Sequence, residues 1–181
     1  MEAISPTIWF PVVTLVVGVF LKAIFDAWTE NRKVAFDRES RLEKRKEIIL
    51  LQRIDLQRKV LCDLQLALSD LMRTTNQMQK HAIQQHHETG LWWKTEPPED
   101  LAERSRNNFR SVTLMKVRVS DEEVRELTSQ LSLSCASIKY TDTKEEAVKT
   151  FDSSTVLYSE INEKIGRALR SLEHDEQALL T

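Results

Sequence analysis

The residues able to do chemistry are few. His81, His86 and His87, followed by Glu88, make the one histidine cluster of the chain. Neutral imidazoles can ligate zinc or copper, and they change charge near neutral pH. The spacing works against a built metal site. Side chains three or four apart share a helix face, whereas His81 and His86 are five apart and His87 is adjacent. No H-E-x-x-H pattern is present. The cluster reads as a solvated helix end, and neither a metal nor another cofactor is expected.

Cys62 and Cys135 are the two cysteines. Nucleophilic or redox work needs a basic or His partner that favours the thiolate, and spacing alone assigns none to either. With no C-x-x-C and with half-apolar flanks, both read as reduced, partly buried thiols. No glycine-rich phosphate loop, no Ser-His-Asp set and no framed pair of carboxylates appears, so no enzymatic activity and no small-molecule substrate are expected. Trp92 and Trp93 are different. Tryptophan is enriched in binding hot spots, and two in a row are candidate partner-binding residues. The plainer role for such a pair is to plug an open end of the fold.

The elements that must position these residues are helices. Three glycines and four prolines are too few for the turns of a sheet protein or a nucleotide-binding fold. A charged share of 30% favours long helices, and a net charge of −2 argues against a general nucleic-acid partner. Charge is uneven, with a basic stretch at Arg38–Lys59 and an acidic surplus after Asp121 that could pack on it.

The N-terminal stretch reads as a membrane span. No residue from Ala3 to Leu21 is charged, close to the ~20 that cross ~30 Å of hydrocarbon as a helix. Ser5 and Pro6 suit its start, and Pro11 bends or loosens its second turn. Trp9, Lys22 and Trp28 suit membrane-interface anchors, with the Lys22 ammonium able to reach the head groups. Thr14 and Gly18 form a small-xxx-small pair, a candidate contact between transmembrane helices. A signal peptide would carry a basic start and a cleavage site, and neither is present. Lys22, Arg32, Lys33, Arg38 and Arg41 follow the span and no Lys or Arg precedes it, which puts the N-terminus outside and the rest in the cytoplasm.

Three regions follow: a transmembrane anchor at 1–28, a charged helical stalk at 29–46 and a helical bundle at 47–181. In the bundle, Leu50, Ile54, Gln57, Leu61, Leu64, Leu68, Leu71, Thr75, Met78 and Ala82 keep a 4-3 spacing, widened by Ile49, Leu56, Val60 and Ala67. Gly90 stops this helix, and Pro97-Pro98 opens the next, whose apolar side is Leu101, Phe109, Val112 and Met115. Ser120 with Glu123 and Thr143 with Glu146 make capping boxes. Between them run Val124, Leu127, Leu131, Ser134 and Ile138. The last helix carries Val148, Phe151, Tyr158, Ile161, Ile165, Ala168 and Leu172.

The three segments have similar lengths of roughly 33–43 residues, or ~50–60 Å at ~1.5 Å per residue. They are therefore expected to form an all-α antiparallel bundle of three legs, the middle one broken near Ser120. A four-helix bundle, with the middle pieces folded into a hairpin, is the alternative. Such a chain is expected to be a single-pass membrane adaptor or accessory subunit with the lipid bilayer, an unidentified protein and a second copy of itself as candidate partners. The competing function is a defence- or toxin-type effector that self-assembles through its membrane helix, which one Lys22 in an apolar span supports poorly.

Overall fold

The computed structural model describes residues 6–93 and 96–180, with side chains throughout except at 6–13, 31, 34, 35 and 180. Helix α1 runs Pro6–Thr89, α2 Glu99–Lys116, α3 Glu122–Ser137 and α4 Lys144–Leu180. A 3-10 turn, Ile138–Tyr140, lies between α3 and α4, and no strand occurs among the described residues. The length of α1 follows from its composition. No glycine lies between Gly18 and Gly90, and no proline between Pro11 and Pro97, so nothing local stops the helix. The chain divides into two compact units, residues 1–50 and 51–181.

The first unit is the N-terminal part of α1. Trp9 and the start of the apolar stretch lie outside the described side chains. Among the described residues, no helix is long and apolar enough to cross a membrane. From Thr14 onward the side chains are exposed, and Leu15, Val16, Val17, Val19, Phe20 and Leu21 are all among them. Gly18 lies in this stretch, and a Cβ added there would meet no atom within 4 Å. One turn beyond Trp28, the Arg32 guanidinium sits over its ring, 4.7 Å from the centroid, as a cation–π pair.

The second unit is a bundle of four helices, and the expectation of three legs is corrected here. Hydrogen bonds fix the directions. Arg104 of α2 reaches Gln77 of α1, Asn108 donates to the Asp70 carbonyl (3.0 Å), and Gln57 lies level with Arg118, so α2 runs antiparallel to α1. Lys116 Nζ donates to Ser129 Oγ at 3.0 Å. A straight helix would separate these two residues by ~20 Å, so α3 folds back along α2. Ser134 meets Ser154 (2.7 Å), and Glu123 pairs with Lys164, so α4 runs antiparallel to α3. Gln65 donates to Asn162 (3.2 Å) and Arg58 pairs with Glu176, which places α4 antiparallel to α1. The middle pieces are thus a hairpin, as in the alternative topology.

The seams read from the sequence supply most of the core. Leu64, Leu68, Leu71, Val112, Val124, Leu131, Ile161 and Ile165 are buried in one cluster, with Phe109, Met115, Leu127, Phe151, Tyr158, Ala168 and Leu172 packed against it. Ile49, Leu50, Leu56 and Val148 are exposed instead. Ile49 and Leu50 fall in the first unit. Leu56 and Val148 sit one position off the inward-facing Gln57 and Ala147, which are half-buried and buried. Thr75 is buried as its place in the seam requires, and Thr128 and Ser154, which no seam included, are buried too. Each hydroxyl donates to the carbonyl four residues back (Leu71, Val124 and Thr150), which removes the cost of burying it.

The α2–α3 turn shows why the hairpin closes without glycine or proline. Val119 is buried in the core cluster. The Gln57 amide donates to the Arg118 carbonyl (3.2 Å) and accepts from the Ser120 N–H (2.9 Å), so one α1 side chain satisfies two turn groups. Helix α3 is capped by Asp121, which accepts from the Val124 N–H at 2.9 Å, rather than by Ser120. Thr143 does cap α4, accepting from the Glu146 N–H (3.2 Å). Gln57→Ala is expected to lower stability by about 1–2 kcal/mol, two modest hydrogen bonds' worth. Gln57→Glu keeps the acceptor and should fall between. Thermal melts of the three proteins check the order.

Candidate functional site at the α1–α2 loop

Gly90 ends α1 with φ +71, a left-handed residue that glycine adopts at no steric penalty, and its N–H donates to the His86 carbonyl at 2.8 Å. The chain then turns so that both tryptophans lie against the bundle end. The indole N–H of Trp92 donates to the Thr141 carbonyl at 3.0 Å, tying the α1–α2 loop to the α3–α4 turn. Its ring packs edge-on to His86 (5.9 Å) and to Trp93 (5.6 Å). Trp93 itself has φ +46, an uncommon conformation for a residue with a Cβ. Both indoles are half-buried, while the neighbouring Leu91 and Tyr140 are exposed.

Trp93 closes one side of a cavity of about 180 Å³, open to solvent, whose walls include Thr75, Met78, Ser105, Phe109, Cys135 and Ile138. Sequence reasoning missed Ser105, Thr141 and Tyr140 at this end. Their proximity to Trp93 depends on the four-helix topology, and no local spacing signals it.

The histidines are not gathered into a ligand set. His86 and His87 have ring centroids 6.5 Å apart, His86 is taken up by Trp92, and its buried Nδ1 has no hydrogen-bond partner among the described residues. No group of three or more His, Cys, Asp or Glu able to hold a metal ion occurs among the described residues. The carboxylates at the helix starts are engaged locally, Glu122 with Arg125 and Asp100 with Arg104 (3.2 Å).

The cysteines are both free, Cys62 exposed and Cys135 buried. In a three-leg bundle, helical rise would put Cys135 ~55 Å below the α1–α2 loop. Instead its thiol donates to the Met72 thioether, Sγ to Sδ 3.7 Å, near the loop end of the core. Burial pushes the Cys135 thiol pKa above its usual value, against the opposing hydrogen bonds of Thr75 and Ser154. A maleimide at pH 8 should therefore label Cys62 in the folded protein and reach Cys135 only on unfolding, as intact-mass counting will show. The raised pKa also fixes a sign. This thiol's contribution is fully present below the unfolded-state value and is lost as pH rises through the folded one, so stability should fall above pH ~9 in wild type more than in Cys135→Ala.

No protein-family model, no curated protein and no solved structure matches this chain.

Proposed function

We propose that the chain is a single-pass membrane-anchored helical adaptor or accessory subunit, not an enzyme, that presents its bundle to a cytoplasmic protein partner. The observation that carries this reading is the helix from Leu15 to Trp28. Consecutive positions on a helix step around it by ~100°, so Leu15, Val16 and Val17, then Val19, Phe20 and Leu21, expose apolar groups on every side. A water-facing helix keeps a polar face, and Leu15–Leu21 has none; the charged Lys22 and Asp26 come only after it. Hydrocarbon is the surrounding that such a helix fits. The following Arg32, Lys33, Arg38 and Arg41 support a cytoplasmic bundle, since basic residues stay on that side.

Absence of a phosphate loop, a nucleophile–base pair or a metal cluster in the residues described leaves binding as the activity to explain. The tryptophan end is the candidate contact, with Trp93, Leu91 and Tyr140 offering apolar area beside one another in sequence or on the cavity wall. The test is cross-linking in cells, mild-detergent solubilisation and mass spectrometry of what co-purifies. A single dominant partner, lost in Trp93→Ala while the melt is kept, is the expected result. Recovery of copies of the chain alone, with membrane depolarisation on overexpression, would replace the adaptor with the self-assembling effector.

A further inference from the structure

We propose that the cavity under Trp93 is a binding site for a small aromatic molecule carrying one polar group, of the size and chemistry of indole or 4-methylphenol. At about 180 Å³ it exceeds the ~150 Å³ of an engineered apolar cavity in another protein that stays dry and takes up benzene. Its walls suit a flat ring. Trp93 and Phe109 supply aromatic faces and edges, Met78 a polarizable thioether, and Ile138 an aliphatic floor.

The polar groups in the wall are nearly all committed. Thr75 Oγ1 donates to the Leu71 carbonyl at 2.8 Å, and the Cys135 thiol donates to Met72. Ser105 is half-buried on α2, lines the cavity, and its hydroxyl makes no hydrogen bond to another described residue. Tyr140, the other uncommitted hydroxyl of the wall, is exposed, so Ser105 is the half-buried group free to accept an indole N–H or a phenol O–H. An apolar pocket with one convergent polar group is the usual form of a small-molecule site. Lys139, the one charged residue of the wall, disfavours a cationic ligand. Trp93 holds φ +46, a conformation that persists in non-glycine residues where the surroundings demand it, and here it lays the indole against the cavity.

The test uses the solubilised full chain with ¹³C-methyl methionine. Met78 lines the cavity, whereas Met115 packs on the core near the α2–α3 turn, outside it. Titrated indole should shift the Met78 methyl saturably and leave Met115 in place. Ser105→Leu, which fills the space, should weaken binding at least tenfold. Ser105→Ala should weaken indole severalfold and leave toluene, which has no polar group, unchanged. A Met78 signal that does not move, one that drifts linearly together with Met115, or wild-type binding by Ser105→Leu would overturn the proposal. Should Ser105→Leu fail to fold, the indole-against-toluene comparison in Ser105→Ala decides, and equal weakening of both ligands rejects the site.

Discussion

Leu64→Asp and Leu68→Asp are each expected to abolish the cooperative melt of the bundle. Both side chains are fully buried, packed with Leu71, Leu131, Ile161 and Ile165 where all four helices converge. An aspartate there has no cation or donor to meet it. Either it stays charged in an apolar surround or it is protonated to remain, and both cost several kcal/mol on top of the lost leucine contacts. A domain of this size has about 5–15 kcal/mol in total, so one such substitution removes most or all of it. The matched control is Leu66→Asp. Leu66 lies between the two in sequence but is 67% exposed, and its replacement should shift stability by under about 0.5 kcal/mol. Arg41→Ala in the first unit should be equally mild. Equal damage by Leu66→Asp and Leu68→Asp would mean that the inward face has been drawn wrongly.

That inward face was readable because period alone reveals it. From Ile54 to Ala82 the 4-3 spacing places one residue in three or four against the other helices, and burial follows that row. Helix ends were readable where the signal is local: Gly90 needs its left-handed φ, Pro98 precedes Glu99 at the start of α2, and Thr143 reaches its own first turn. The number of legs was not. Residues 117–121 contain no glycine or proline, so they resemble a short interruption of one helix. What makes them a hairpin is the burial of Val119 and the double hydrogen bond of Gln57, which lies some sixty positions away in sequence. A long-range bond of that kind leaves no trace in local spacing.

The candidate site was half legible for the same reason. Trp92 and Trp93 stand out by type, but their roles divide only in three dimensions. Trp92 uses its one polar atom on Thr141, so it ties two turns together, while Trp93 faces a cavity that three helices wall. The buried hydroxyls of Thr75, Thr128 and Ser154 read as polar by type. They are core residues because a helix supplies each an acceptor one turn back.

The second large effect concerns the membrane. The full chain should remain in the membrane pellet through washes in high salt and at alkaline pH, whereas a chain beginning at Leu51 should appear in the supernatant and melt cooperatively. The boundary is the one at which the two compact units divide. Nine large apolar side chains between Leu15 and Trp28 are exposed. At ~1.5–3 kcal/mol for each one taken out of water, their burial in hydrocarbon amounts to well over ~10 kcal/mol. At 1 M, salt screens exposed charge pairs more than ~3 Å apart and leaves that contribution untouched. A charge in the same helix opposes it directly: Val16→Arg, midway between the anchors Trp9 and Lys22, should cost about 2.5–3.5 kcal/mol and raise the released fraction. Release of the wild-type chain by salt alone would make it a peripheral protein held by Arg32, Lys33 and their neighbours. Protease added to intact cells separates the orientations, because a bundle digested from outside would reverse the placement inferred from the basic residues after Lys22.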